Sequence, residues 1–440
     1  TADDPVAFVD YSTKGIEFTL DGNSKTDGER FGFNWTEVAK HIANLIDKGE
    51  YLTDKEIEKS VETPVQEEIS SENITQKQLE EIKDISKENP KEKTENFTIT
   101  DDSLGEGGAK TKFKNNLLAI QTLKQIESEN RRATSEEQEI MSKYVGWGGL
   151  SQAFDSENKA WENEFKQLGD ILNDTEYNDA RGSVLDSFFT SPAIIDGIYE
   201  ALEKFGFEGG NVLEPSCGVG NFIGKMPAEM AENSKVYGVE VDSITGRIAQ
   251  QLYPNADIQV TGFENTRFQN GSFDVAVGNV PFGELGFTDK EYGTAKLHDF
   301  FFAKTMDKVK DGGIVAFITS KGTLDKKDES FRKQLSEKAN LIDAVRLPNN
   351  AFKANAGTEV TSDIIFLQKR SEPPTEIPEW VHLKENADGL RVNSYFADNP
   401  DMVLGKIVEG NKLYGRNDDT MCIPIEGANL REQLSQAVQK

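Results

Sequence analysis

Short apolar runs alternate with amphipathic segments between Arg181 and Arg370, and this alternation is the signature of βαβ units. Each run is bounded by residues that favour turns, as is typical of buried strands. The pattern predicts an α/β domain with seven strands on one open, parallel sheet: Asn211–Leu213, Lys235–Val241, Asp257–Thr261, Phe273–Gly278, Gly313–Thr319, Leu341–Leu347 and Asp363–Gln368.

The remaining sequence divides into four further segments. Residues 1–52 carry a hairpin-like pattern, Val6–Asp10 and Ile16–Leu20, followed by helical spacing from Trp35 to Ile46. They predict a small α+β unit or the end of a domain that begins upstream. Residues 53–110, rich in Glu, Lys, Ser, Thr and Asn, predict an acidic linker. Residues 111–179 predict a helical N-terminal extension, residues 180–370 hold the sheet, and residues 371–440 are a small C-terminal extension.

Helical periodicity places two helices in the N-terminal extension. The first helix ends by Asn130 and carries four apolar residues on one face: Leu117, Ile120, Leu123 and Ile126. Thr134 and Glu137 have capping-box spacing and predict the start of a second helix that runs through Tyr144. The glycines of Gly146–Gly149 then predict a turn.

The charge balance narrows the classes of function. The 440 residues include 77 acidic and 49 basic side chains, for a net charge of −28, which argues against a protein that simply coats nucleic acid. The excess is uneven: residues 1–110 hold 26 acidic and 13 basic side chains, whereas residues 180–370 hold 26 and 21. A central domain whose positive and negative charges are nearly equal in number can still bind DNA.

Other residue types add further exclusions. Two cysteines, Cys217 and Cys422, cannot form a disulfide framework and lack zinc-ligand spacing, so we expect a reducing, cytoplasmic setting and no metal. No apolar run approaches about 18 residues, which excludes a membrane-spanning helix. The chain begins at Thr1 without a methionine, and we therefore expect it to be part of a longer polypeptide.

The first candidate site follows the strand at Asn211–Leu213. A Gly-x-Gly turn, Gly218 and Gly220, leads into a helix, and glycines there let a backbone approach a ligand closely. Glu240, twenty residues beyond Gly220 at the end of the next strand, can accept hydrogen bonds from ribose hydroxyls. No third glycine follows, which disfavours a dinucleotide, and Glu214 would repel phosphate but suit a cationic or zwitterionic ligand. S-adenosylmethionine, with its ribose, adenine, amino acid and sulfonium, fits these features.

A second candidate site follows the fourth strand at Asn279, Val280, Pro281 and Phe282. The Asn279 amide oxygen and a backbone carbonyl can accept hydrogen bonds from one exocyclic amine, which directs its lone pair towards a methyl donor. Pro281 would make the loop rigid, and Phe282 offers a stacking face for a planar base. An ordinary Asn-x-Pro turn is the alternative interpretation.

The order of these motifs resembles the S-adenosylmethionine-dependent N6-adenine DNA methyltransferases of the γ arrangement. Their catalytic motif, Asn/Asp-Pro-Pro-Tyr/Phe, corresponds to Asn279–Phe282, with Val280 in place of the first proline. The resemblance implies a Rossmann-like seven-stranded methyltransferase sheet. It also implies cofactor contacts from a segment upstream of the Gly-x-Gly turn, from the turn itself, and from the ends of later strands. The residues concerned are Phe189, Thr190, Pro192, Glu214, Pro215, Ser216, Gly218, Gly220, Asn221, Phe222, Glu240, Val241, Phe263, Glu264 and Asn279.

A closer likeness covers most of residues 111–440. Lys112–Phe154, Leu347–Phe352 and Asn393–Phe396 are similar to the methylase segment of large methylase–helicase proteins of conjugative plasmids and integrative elements. This likeness implies that further domains of a longer chain are partners.

The expected substrate is adenine in DNA, single-stranded or flipped out of a duplex. Phosphate contacts are predicted at a basic cluster after the fifth strand, Lys321, Lys326, Lys327, Arg332 and Lys333, and at a second patch, Lys112, Lys114, Arg131 and Arg132. Two alternatives stay open: a methyltransferase that acts on RNA or on a protein glutamine, and a non-catalytic cofactor- or DNA-binding module that supports conjugation.

Overall fold

A computed structural model describes residues 7–12, 15–20, 95–185, 189–281, 286–353, 359–410 and 420–440. The chain forms two compact units, Thr1–Gln76 and Lys77–Lys440. In the first unit, β1 (Ala7–Ser12) and β2 (Gly15–Leu20) pair antiparallel, which confirms the predicted hairpin. The helix predicted from Trp35 to Ile46 lies outside the described residues.

The second unit is built on a seven-stranded sheet whose strands match the seven predicted runs. In spatial order they are β10 (Ala339–Leu347), β11 (Ser362–Lys369), β9 (Val309–Ser320), β6 (Phe273–Asn279), β3 (Asn211–Glu214), β4 (Lys235–Glu240) and β5 (Asp257–Val260). Strand order reverses between β3 and β6. In open α/β sheets, ligands bind at the carboxyl ends of strands beside such a reversal.

The sheet is mixed, so the expectation of a parallel sheet is wrong for one strand. β11 pairs antiparallel with both β10 and β9, whereas β3, β4, β5, β6 and β9 pair parallel. The described part of the connection between β10 and β11 contains no helix longer than one turn, and β11 lies between β10 and β9. An antiparallel pair needs only a short return, whereas a parallel pair needs a long crossover.

Helices pack against this sheet and form the N-terminal extension. Their bounds are α1 (Ala109–Ser128), α2 (Ser135–Met141), α3 (Glu162–Ile171), α4 (Asp174–Gly182), α5 (Pro192–Lys204), α6 (Asn221–Lys225), α7 (Ala228–Glu232), α8 (Ser243–Leu252), α9 (Leu297–Lys308), α10 (Gly322–Asp325), α11 (Ser330–Lys338), α12 (Ser394–Asp398) and α13 (Leu430–Val438). The capping box predicted at Thr134 and Glu137 is present, and the apolar face predicted for α1 is buried. Short hairpins complete the unit: β7 (Gly286–Asp289) with β8 (Gly293–Lys296), β12 (Leu383–Glu385) with β13 (Arg391–Asn393), and β14 (Lys406–Glu409) with β15 (Thr420–Ile423).

The end of the predicted linker belongs to the folded body. The Phe97 amide donates to the Leu252 carbonyl over 2.8 Å, and the Ile99 amide donates to the Gly224 carbonyl over 2.9 Å. Ile99 is buried. These backbone hydrogen bonds and the buried Ile99 side chain anchor residues 95–100, so this part of 53–110 is not a linker.

The C-terminal extension is joined to the sheet by a buried ionic network. The Arg346 guanidinium makes two hydrogen bonds to Asp363, of 2.8 and 2.9 Å, and one of 2.7 Å to Asp325. Arg346 also lies 4.2 Å from the ring centroid of Phe396, and the Asn393 amide donates to Asp325 over 2.8 Å. The network therefore connects β10, β11 and α10 to residues from the extension.

Within the part of the chain that the structure describes, no helix is long and apolar enough to cross a membrane.

Candidate active site

The carboxyl ends of three adjacent strands, β4, β3 and β6, open onto one cavity of about 560 Å³. Glu240, Glu214 and Asn279 are the last residues of these strands, and all three line the cavity. Parallel strands bring their carboxyl ends to the same edge of a sheet, so residues far apart in sequence meet here.

The Gly-x-Gly turn forms the floor of the cavity between β3 and α6. Gly218 and Gly220 have φ values of 55° and 85°, which other residues rarely adopt. A Cβ on Gly220 would lie 2.4 Å from a Tyr253 ring carbon, whereas a Cβ on Gly218 would meet Phe189 at 3.6 Å. Gly220 is therefore required for the conformation and packing of the turn, and Gly218 keeps the backbone exposed to the cavity.

Glu240 is held at the end of β4 by two backbone amides. Its carboxylate accepts hydrogen bonds of 2.8 Å from the Gly218 amide and 2.8 Å from the Asp242 amide. Burial raises the pKa of Glu240 to about 7, against the opposing effect of these amide hydrogen bonds. The carboxylate is thus oriented by the turn and faces the cavity.

Glu214 lies deeper in the cavity and is only 2% exposed. Its Oε2 atom is buried without a hydrogen-bond partner. Burial, and then the charge of Glu240, hold the pKa of Glu214 well above its ordinary value. A buried acceptor without a partner costs stability unless a ligand satisfies it.

The cavity has a strongly acidic lining. Five carboxylic acids among the described residues contribute to it: Asp179, Glu214, Glu240, Asp242 and Glu264. Among the described residues that line it there is no lysine, arginine or histidine. The cavity therefore favours a ligand with positive charge.

A turn after β5, at Phe263 and Glu264, forms another wall. The Phe263 ring stacks on Phe301, with a centroid distance of 5.3 Å and an interplanar angle of 29°. The Lys304 ammonium, itself buried, donates to the carbonyls of Phe263 over 2.6 Å and of Glu264 over 3.1 Å. Sequence reasoning missed Phe301 and Lys304, because both lie in a helix whose Phe-rich pattern is typical of core.

The motif predicted to be catalytic, Asn279–Phe282, begins where β6 ends. The Asn279 carbonyl accepts a hydrogen bond of 3.0 Å from the Ser216 hydroxyl, which ties the motif to the Gly-x-Gly turn. The Val280 amide donates to the Ile318 carbonyl over 3.1 Å, a bond that proline could not make. Pro281 lines the cavity, and Phe282 lies outside the described residues.

Most residues expected to contact the cofactor line this cavity. Of the described residues expected to bind the cofactor or to act in catalysis, three do not. Pro192 is buried at the start of α5, and Gly220 supports the turn. The side chain of Val280, the second residue of the motif, is buried away from the cavity. The residues that the structure brings to the cavity are Phe189, Thr190, Glu214, Pro215, Ser216, Gly218, Asn221, Phe222, Glu240, Val241, Phe263, Glu264, Asn279 and Pro281.

The predicted basic cluster is only partly available to DNA. Arg332 is 1% exposed, and its guanidinium donates to the carbonyls of Val381 over 2.6 Å and Lys326 over 2.7 Å. It is a structural residue, so its assignment as a DNA contact is wrong. The Lys327 and Lys333 side chains are exposed.

The second basic patch also contains structural residues. Lys112 is buried. Arg131 makes hydrogen bonds of 2.6 and 2.7 Å to Glu137 and lies beside the capping box. Lys114 and Arg132 are exposed, and Arg132 donates to the Gln250 carbonyl over 3.2 Å.

The sequence is similar to that of known methyltransferases. Residues 171–386 match the family model for N-6 DNA methylases. The chain is 33% identical over 209 residues to the "Defense against restriction protein B" of Escherichia phage P1, covering 46% of this chain and 9% of that protein. It is 26% identical over 259 residues to the type II methyltransferase M.CvrRI of Paramecium bursaria Chlorella virus XZ-6E, covering 56% of this chain and 62% of that protein. A solved structure, the M protein of the type I restriction enzyme EcoKI, shares 17% identity over 59% of this chain and 62% of its own, with a TM-score of 0.35.

The chain spans less than two thirds of the length of either curated relative. The family match contains the cavity and the whole seven-stranded sheet. The segment 171–386 therefore belongs to the S-adenosylmethionine-dependent N-6 DNA methylase family.

Proposed function

We propose that this chain transfers a methyl group from S-adenosylmethionine to the N6 amine of adenine in DNA. The observation that carries the proposal is the position of Asn279, which lines the same cavity as Glu240 and Phe263. One cavity of about 560 Å³ is thus lined by an amide that can polarise an amine, by a carboxylate suited to a ribose and by an aromatic residue suited to adenine.

The cavity fits the cofactor in shape and charge. Gly218 leaves its backbone exposed, Glu240 presents an oriented carboxylate to ribose hydroxyls, and Phe263 lines the cavity where it can contact adenine. Glu214 supplies a buried acceptor for a positively charged donor. The acidic lining suits the ammonium and sulfonium groups and opposes a pyrophosphate.

The protein's part in the chemistry is to orient the target amine. S-adenosylmethionine, when bound, supplies an electrophilic methyl group. The Asn279 side-chain oxygen and the Val280 carbonyl each accept a hydrogen bond from one N–H of the target amine. These two bonds direct the nitrogen lone pair into the cavity. The Val280–Ile318 hydrogen bond and Pro281 restrict the backbone at this point. No general base is needed, because the surplus proton can leave to water after transfer.

The relatives favour DNA over the alternatives of RNA, a protein glutamine or a non-catalytic role. Residues 171–386 match a family of DNA methylases, and the second relative is named as a type II methyltransferase. The phage relative supports a role within a mobile genetic element. Of the basic residues, Lys321, Lys326, Lys327 and Lys333 are proposed as phosphate contacts, with further domains of a longer chain as partners.

The test is methyl transfer from labelled S-adenosylmethionine to duplex DNA, single-stranded DNA, RNA and protein in parallel. We expect labelled N6-methyladenine in DNA, with more product from unpaired adenines because unstacking costs a few kcal/mol less there. Asn279→Ala should reduce transfer by orders of magnitude and leave cofactor affinity nearly intact, since Asn279 acts in the transition state. Asn233→Ala, an exposed asparagine outside the cavity, is the matched control. Label in RNA or protein alone, or none with any substrate, would contradict the proposal.

A further inference from the structure

Helix α4 of the N-terminal extension forms a wall of the cofactor cavity. Asn178, Asp179 and Gly182 of this helix, and Ser183 after it, line the cavity opposite the strand ends. None of these residues belongs to the motifs that the sequence indicated. The cavity is therefore closed by a helix that precedes the cofactor segment in the chain.

A single buried carboxylate, Glu176, holds α4 in this position. It is 4% exposed and accepts hydrogen bonds of 2.6 Å from the Lys124 ammonium and 2.7 Å from the Arg247 guanidinium. Its Oε2 also accepts the Asn173 amide over 3.1 Å, while the Asn173 side chain accepts the Glu176 amide over 3.0 Å. Burial alone would raise the pKa of Glu176, but the bonds from Lys124 and Asn173 hold it below its ordinary value.

The two cations come from different parts of the fold. Lys124 lies on α1, in the N-terminal extension, and also donates to the Ile171 carbonyl at the end of α3 over 2.5 Å. Arg247 lies on α8, which begins directly after Asp242 and carries Thr245; both of these residues line the cavity. Glu176 thus connects the helix wall of the cavity to the wall formed by the end of β4.

We propose that Glu176 is a positioning residue for cofactor binding, which fixes α4 against α1 and α8 so that the N-terminal extension completes the cofactor site. The inference rests on the proposed function in one respect, that the cavity takes S-adenosylmethionine. Glu176 does not line the cavity itself, and its effect passes through the residues of α4 that do. Losing its charge should loosen this wall without changing the groups that orient the target amine.

The experiment is calorimetric binding of S-adenosylmethionine to the whole chain and to Glu176→Gln, followed by steady-state methyl transfer. We expect the Kd to rise about tenfold, within the range of about 5- to 150-fold that is usual for coupling between sites. The KM for the cofactor should rise in parallel, whereas kcat at saturating cofactor should stay within about twofold. Glu176→Asp, which keeps the charge, should restore part of the affinity.

Glu162→Gln is the matched control, because Glu162 forms an exposed pair of 2.8 Å with Lys166 on α3 and takes no part in the contacts of Glu176 with Lys124 and Arg247. It should bind the cofactor as the parent does. A folded Glu176→Gln protein with unchanged Kd, or one that loses kcat with unchanged KM, would overturn the inference. If Glu176→Gln does not fold, Arg247→Lys keeps the charge but not the guanidinium geometry; it should weaken binding by a smaller factor, and parental affinity would overturn the inference. If the parent itself binds no S-adenosylmethionine, it is the proposed function that fails.

Discussion

Cofactor affinity should fall as the pH is lowered from about 7.5 to about 6, because Glu240 takes up a proton. Burial raises the pKa of Glu240 to about 7. The ionised carboxylate is the stronger acceptor for two ribose hydroxyls, so binding favours the ionised form. Of the facing acids, Glu214 has a pKa well above its ordinary value, and Asp242 uses its carboxylate to cap α8 over 2.7 Å.

The size of the effect follows from the population of ionised Glu240. With a pKa of about 7, protonated Glu240 outnumbers the ionised form about ten to one at pH 6, but is outnumbered about three to one at pH 7.5. The apparent Kd is the intrinsic Kd divided by the competent fraction, so it should rise about eightfold across this range.

Calorimetry with the parent protein and Glu240→Gln at both pH values measures this difference. The glutamine cannot titrate, so the part of the pH slope that comes from Glu240 should vanish, and the loss of a charged acceptor should weaken binding by about 1.5–3 kcal/mol. The cofactor's own α-amino group titrates at about 7.7–8.0 and affects both proteins equally. An equal Kd for the parent at both pH values, or the same slope in Glu240→Gln, would refute the assignment of Glu240 as the ribose acceptor.

Three further predictions concern the turn, the basic cluster and the N-terminal segment. Gly220→Ala places a side chain at a φ of 85° and 2.4 Å from a Tyr253 ring carbon, so it should destabilise the protein by about 1–3 kcal/mol in thermal unfolding, and an unchanged midpoint would contradict this. Arg332→Met should cost about 1.5–3 kcal/mol of stability through its lost carbonyl contacts and leave the salt dependence of DNA binding unchanged. Lys327→Met should leave stability unchanged and reduce the magnitude of the slope of log K against log salt by about 0.9. A loss of stability in Lys327→Met would argue against a surface role. Removal of residues 1–94, which hold 22 acidic and 12 basic side chains, should raise DNA affinity more at low salt than at high salt, and equal affinity at low salt would rule out long-range repulsion.

The sequence predicts the sheet well because most of its strands are buried apolar runs, and the runs of β3, β4 and β6 end at a polar residue. Asn279 and Glu240 could be found for the same reason, since the ends of such runs share one edge of the sheet. The walls of the cavity were harder to find, because Phe301 lies in a run that is equally typical of helix core. Arg332 resembles its exposed basic neighbours in sequence, and its burial depends on carbonyls such as that of Val381, which are distant in the chain.

The network around Arg346 has a consequence for folding cooperativity. Its members come from four separate stretches of sequence, and each hydrogen bond forms only when two stretches that are distant in the chain have met. If the segment containing Asn393 and Phe396 opened alone, Asp325 would lose one hydrogen bond and the Arg346 guanidinium would lose its contact with the Phe396 ring. The charged groups of the network would then stay buried with fewer partners, which costs free energy. Local opening of this segment is therefore coupled to opening of the sheet edge. The backbone amide of Asn393 should exchange its hydrogen at the rate of global unfolding rather than that of a loose chain end.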